Sequence, residues 1–85
     1  MKTQKQRAAA RKKRDREDFE ACMDKNDGIC QMCQGAATQM HHGKRKHLDV
    51  RHDPRWHYAV CYDCHVFAHA NVAEWIKFME ANPND

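Results

Sequence analysis

The sequence predicts a small α+β domain, and three observations carry that expectation. Two C-x-x-C pairs stand at Cys30/Cys33 and Cys61/Cys64, two short alternating runs, "TQMHH" and "HYAVC", lie between and against them, and helical patterns precede the first pair and follow the second. Eighty-five residues make one domain at most. A chain of that size buries too little apolar surface to be comfortably stable on a hydrophobic core alone, so a staple is expected.

The first element is a helix. "TQKQRAAARKKRDREDFEACMDKNDG" is rich in helix formers, has no proline, opens with a capping-box pattern at Thr3 and Gln6, and has its stop at Gly28. Phe19, Cys22 and Met23 place an apolar stripe on its second half only, which leaves the first half to project as an arm. Cys22, outside any pair, reads as a small buried hydrophobe. Residues 1–28 are thus expected to form a basic helix or arm, and 29–85 the stapled domain. Residues 1–16 hold eight basic side chains against Asp15 alone, a net charge of +7, while 17–85 carry a net −4. Arg7, Arg11, Lys12, Lys13 and Arg14 therefore suit a polyanion, with DNA the expected partner through counterion release; a solvated helix face is the plainer alternative.

The two strand patterns suggest an antiparallel hairpin, with Tyr58 and Val60 sharing one face and a charged connection around Gly43 and "HDPR" reading as a loop. From Cys64 the pattern turns helical. Asn71 and Glu74 form a second capping-box pattern for "VAEWIKFMEA", whose Val72, Trp75, Ile76 and Met79 lie on one face and read as core.

No signal-peptide pattern and no transmembrane run is present, so the cysteines are expected in a reducing, cytoplasmic setting, where pairs bind metal rather than each other. Cys30, Cys33, Cys61 and Cys64 can offer four thiolates to one tetrahedral zinc, a closed structural site that needs no histidine. His41 and His42 are then free for other chemistry. His65 directly follows the last cysteine, and either strand histidine beside it would make a second, open site that holds a divalent ion and leaves room for substrate. His47 and His52 read as surface histidines. His69, four residues after His65 on the same helix face, leans the same way while remaining a possible further ligand.

These residues resemble the HNH (His-Asn-His) endonucleases, in the zinc-stapled form of the ββα-metal fold, and the tail "CYDCHVFAHANVAEWIKF" resembles small phage-encoded members. The likeness covers roughly Ile29 to His69. It implies a hairpin plus helix as the catalytic core, His42 as general base, and His41 with His65 as ligands of a catalytic divalent ion (Mg2+, Mn2+, Ni2+ or Zn2+). The implied activity is phosphodiester hydrolysis that leaves 5′-phosphate and 3′-hydroxyl ends, with one strand nicked by a monomer acting alone or with a partner protein. One position departs from the pattern. The family's middle Asn is expected five residues before Cys61, where this chain has Trp56 followed by His57. Either His57 takes that place, or the site is loosened at Trp56, or the chain has kept the scaffold without the chemistry, as a zinc-stapled nucleic-acid-binding or adaptor module.

An unperturbed imidazole titrates near ~6.5, so a neutral His42 can accept a proton from water at cellular pH. Lys44, Arg45, Lys46, Arg51 and Arg55, which follow the base along the hairpin connection, are expected to hold flanking phosphates.

Overall fold

The computed structural model describes residues 3–43 and 51–84. Among them, three helices and a two-stranded antiparallel hairpin form a small α+β domain. Helix α1 spans Gln4–Lys25, strands β1 and β2 span Gln39–His42 and His57–Val60, and helices α2 and α3 span Tyr62–Ala70 and Val72–Ala81.

Helix α1 starts as its sequence dictates. The Thr3 hydroxyl accepts from the Gln6 N–H, and the Gln6 side chain accepts from the Thr3 N–H in return, so two otherwise orphaned donors are satisfied. The helix ends three residues before Gly28: Asp27, at a left-handed φ of +54°, turns the chain so that the Gly28 N–H reaches the Met23 carbonyl at 2.8 Å, and Gly28 follows at φ +67°. Residues 4–14 are exposed, and the second half docks on the hairpin, burying Cys22. The long dimension of 43 Å, against 25 and 23 Å for the others, reflects that projection.

The hairpin register pairs Gln39 with Val60, Met40 with Ala59, His41 with Tyr58 and His42 with His57. All four residues of β2 are buried, not only the Tyr58 and Val60 face. The reason is that both faces of the strand are covered. Tyr58 and Val60 join Cys30, Ala68 and Trp75 in the core beneath α2 and α3, while His57 lies beside Asp18 and Cys22 of α1. Strand pleating then sends the neighbours His41 and His42 to opposite faces, His41 with Tyr58 and His42 with His57. The outer edge of β2 is covered by Gln31 of the first cysteine turn, which exchanges two hydrogen bonds with Ala59 at 2.7 and 2.8 Å.

Two expectations for the C-terminal helices are corrected. Asn71 makes no side-chain cap for α3; its amide bonds back to the Phe67 carbonyl and closes α2 instead. The buried face of α3 is Trp75 with Phe78 and Met79, whereas Val72 and Ile76 are exposed. So short a helix over so small a core covers only one narrow stripe. Ile76 and Met79 instead border an open cleft of about 580 Å³ with Trp56 and Tyr58.

The connection before β2 is held from two sides. Arg51 pairs with Asp15 and His52 with Asp18, both on α1. From the C-terminal tail, the Asn84 amide donates to the carbonyls of Pro54 at 3.1 Å and His57 at 2.6 Å.

Candidate metal centres

The four paired cysteines converge, with their sulfurs all within 4.8 Å of one another. In each C-x-x-C turn the second cysteine's backbone N–H points at the first cysteine's sulfur, Cys33 to Cys30 at 3.5 Å and Cys64 to Cys61 at 3.4 Å. The sulfurs of Cys33 and Cys61 lie 3.7 Å apart. A tetrahedral zinc with Zn–S bonds of about 2.3 Å sets its sulfurs about 3.8 Å apart, so this donor set can hold a structural ion such as zinc. Burial works against the Cys30 thiolate, but the backbone N–H groups of Cys33, Cys61 and Met32 outweigh it and lower its pKa to about 7. Burial, then the neighbouring sulfurs, pushes Cys64 up, the crowding that a shared cation relieves. Cys22 stands apart on α1, buried and pushed up to about 11 by that burial.

The same turn builds the second group. The Cys61 sulfur caps α2, so the helix begins at the cysteine cluster and carries His65 and His69 on successive turns. These meet His41 of β1, and one ring nitrogen of each lies within 4.8 Å of the others. The Nε2 atoms of His65 and His69 are 3.1 Å apart. Nitrogens around a tetrahedral ion with metal–N bonds of about 2.0–2.1 Å would sit about 3.3 Å apart, close to the His65–His69 separation, and with His41 within 4.8 Å of both the group could hold a divalent cation. His41 is 7% exposed, its Nδ1 is buried with no hydrogen-bond partner, and its ring stands edge to face with Trp75 at 4.5 Å. A buried ring with an unpartnered nitrogen, packed against two further imidazoles, is the fit expected of a ligand. His69, read from sequence as leaning to the surface, is thus brought to His41 and His65. The i, i+4 spacing of His65 and His69 was its visible signal.

Burial, then the nearby His69, His65 and His42, pushes the His41 pKa down to about 4. In protein holding no ion on the histidines, His41 should therefore remain neutral at pH 5, where an ordinary imidazole is protonated; ring resonances that titrate near 6.5 would contradict this. Between about 6.5 and 4 the unfolded chain binds a proton that the folded chain does not. Stability from this group is therefore complete above that window and falls as pH drops through it.

His42 lies across the hairpin from His57, their rings 5.1 Å apart at 74°. His57 is 3% exposed, and its Nε2 is 2.8 Å from the Arg51 carbonyl. A carbonyl can only accept, so the proton sits on Nε2. Trp56 closes the connection: its carbonyl accepts the Gly43 N–H at 2.7 Å. A Cβ on Gly43 would come within 2.7 Å of the Met79 sulfur, 3.2 Å of the Tyr58 ring and 3.4 Å of the Trp56 ring, so the residue after His42 has no room for a side chain unless Met79 moves.

Of the expected phosphate contacts, Arg7, Arg11, Lys12, Lys13 and Arg14 are exposed along the projecting half of α1. Lys44, Arg45 and Lys46, with His47, lie outside the described residues. Arg51 and Arg55 are held by carboxylates, Arg51 by Asp15 and Arg55 by Asp53, each at 2.7 Å. His52, expected at the surface, is part-buried against Asp18. Comparison of the chain with protein-family models, curated proteins and solved structures found no match.

Proposed function

We propose that the protein is a metal-dependent DNA endonuclease of the HNH type that nicks one strand, with the hairpin and α2 serving as a ββα-metal core. The observation that carries this reading is the convergence of His41, His65 and His69 beside a strand end that also bears His42. A cysteine staple alone would serve a binding module equally well. A buried imidazole with an unpartnered nitrogen, facing two others, has no such structural use.

In this reading His42 accepts the proton of the attacking water. A divalent ion on His41, His65 and His69 would supply positive charge against the scissile phosphate and the departing oxygen. His57 is not among the three clustered imidazoles. Its Nε2 proton ties the ring to the Arg51 carbonyl, and the ring stands against His42. That arrangement favours His57 over Trp56 as the residue that fixes the connection behind the base. Trp56 contributes its backbone and a packing surface. The exposed cations of α1 supply affinity for the DNA backbone without base choice.

The deciding experiment is supercoiled-plasmid nicking by the zinc-loaded protein across Mg2+, Mn2+, Ni2+ and Zn2+. Nicking with at least one added ion is expected. DNA binding without cleavage under every ion would favour the alternative, an adaptor module that kept the staple without the chemistry. A variant lacking residues 1–14 loses seven basic side chains and should bind all DNA sequences more weakly. Its salt dependence should flatten by up to about 0.9 in log–log slope for each phosphate that the arm no longer neutralises. An unchanged slope would mean the arm does not touch DNA.

A further inference from the structure

Helix α1 carries an ion-pair clamp that the arm's polyanion role does not account for. Asp15 is the single acidic residue among the first sixteen, set in a run of net charge +7. Its carboxylate takes two hydrogen bonds from Arg51, Nε to Oδ1 at 3.1 Å and Nη2 to Oδ2 at 2.7 Å. Such a two-point contact fixes the plane of the guanidinium as well as its distance. One turn along α1, Asp18 meets Nδ1 of His52 at 2.5 Å. Two consecutive residues of the connection are therefore pinned, 36 and 34 positions away in sequence, to one face of one rigid helix.

The clamp leads to the base in two further steps. The carbonyl of Arg51 is the acceptor for His57 Nε2–H, at 2.8 Å, and the His57 ring is the wall against which the His42 ring stands, 5.1 Å away. The clamp's contribution to stability is expected to be small, since partly exposed ion pairs contribute little. Its effect on orientation is not small, because a displaced Arg51 carbonyl leaves the buried His57 proton without its acceptor. A metal ion is a poor competitor for this group, since the guanidinium of Arg51 already covers both oxygens of Asp15.

We propose that Asp15 and Asp18 are positioning residues for His42, acting through Arg51, His52 and His57. The proposal rests on the endonuclease reading for its catalytic consequence. It makes α1 more than a DNA-binding arm, because the helix whose exposed half carries Arg7, Arg11 and Arg14 also sets, through its docked half, the geometry behind the base.

The test is Asp15→Asn in the full zinc-loaded chain, compared with wild type, with Asp15→Glu and with the reversed pair Asp15→Arg/Arg51→Asp. Asp15→Asn should lower single-turnover nicking about ten- to hundred-fold, as expected of a base misplaced by up to 1 Å, while DNA affinity and zinc content stay within about twofold of wild type. The reversed pair should recover most of that rate, and Asp15→Glu part of it. In parallel, NMR of the His57 side chain should show a slowly exchanging Nε2 proton in wild type that exchanges at least about tenfold faster in Asp15→Asn. Wild-type nicking and an unchanged His57 proton in Asp15→Asn would overturn the proposal. So would a rate decrease matched by equal decreases in DNA affinity and zinc, which is the signature of general unfolding. If the wild-type chain fails to nick under every one of the four ions, the endonuclease reading is what fails, and the His57 proton then decides the clamp's effect by itself.

Discussion

Cys64→Ser should abolish cooperative folding. The four sulfurs gather at the spacing of a tetrahedral site, and Cys64 closes it from the first turn of α2. Metal binding to such a site contributes on the order of 10 kcal/mol, about the whole stability of a domain this small. The buried apolar side chains that remain are few: Tyr58, Val60, Ala68 and Trp75 make up most of the core besides Cys30. The serine variant should bind zinc weakly, lose its near-ultraviolet signal and melt without a transition, and Cys30→Ser should do the same. One zinc per wild-type chain is the matching result from elemental analysis. Folded, reduced protein with no metal, or a serine variant with a wild-type melting curve, would show that the core suffices without the staple.

His42→Ala should remove nicking while leaving the domain intact. Loss of a general base costs typically about 100- to 10,000-fold. His42 lies on the face of the hairpin opposite the one that carries His41, so its removal leaves the His41–His65–His69 group in place. Zinc content, DNA affinity and second-ion occupancy should therefore match wild type. His65→Ala and His69→Ala should each lose nicking together with second-ion occupancy, which isothermal titration with Mn2+ or Ni2+ measures directly. Nicking by purified His42→Ala at the wild-type rate would remove His42 from the role of base. Retained ion binding in His69→Ala would return that residue to the surface role its sequence context first suggests.

What could be read from the sequence was what short-range spacing encodes. The C-x-x-C turns, the Thr3–Gln6 cap, the strand pair and the adjacency of Cys64 and His65 are all local patterns, and the small α+β architecture follows from them. What escaped depends on how distant segments meet. His69 carried the right helical spacing, but whether its face of α2 turns toward β1 is set by the angle at which Cys61 starts the helix. The charge of Arg51 is visible in sequence and its partner is not, since Asp15 lies 36 residues away. Val72 and Ile76 had the periodicity of a core face, yet the body beneath α3 is too small to reach them. Asn84 gave no signal, since a tail asparagine reveals nothing of the two carbonyls it reaches.

The start of α2 at the Cys61 sulfur also sets which changes in chain length the protein can tolerate. Between the two cysteine pairs run 27 residues, and a change of length close to β2 would pull Arg51 and His52 from their partners on α1. Between Cys64 and His65 the constraint is stricter still. Both lie on one helix, and a single residue inserted there would leave the cysteine cluster whole but rotate His65 and His69 by about 100° about the helix axis, away from His41. Natural variants of this chain should therefore show no insertion or deletion within the six-residue span from Cys64 to His69.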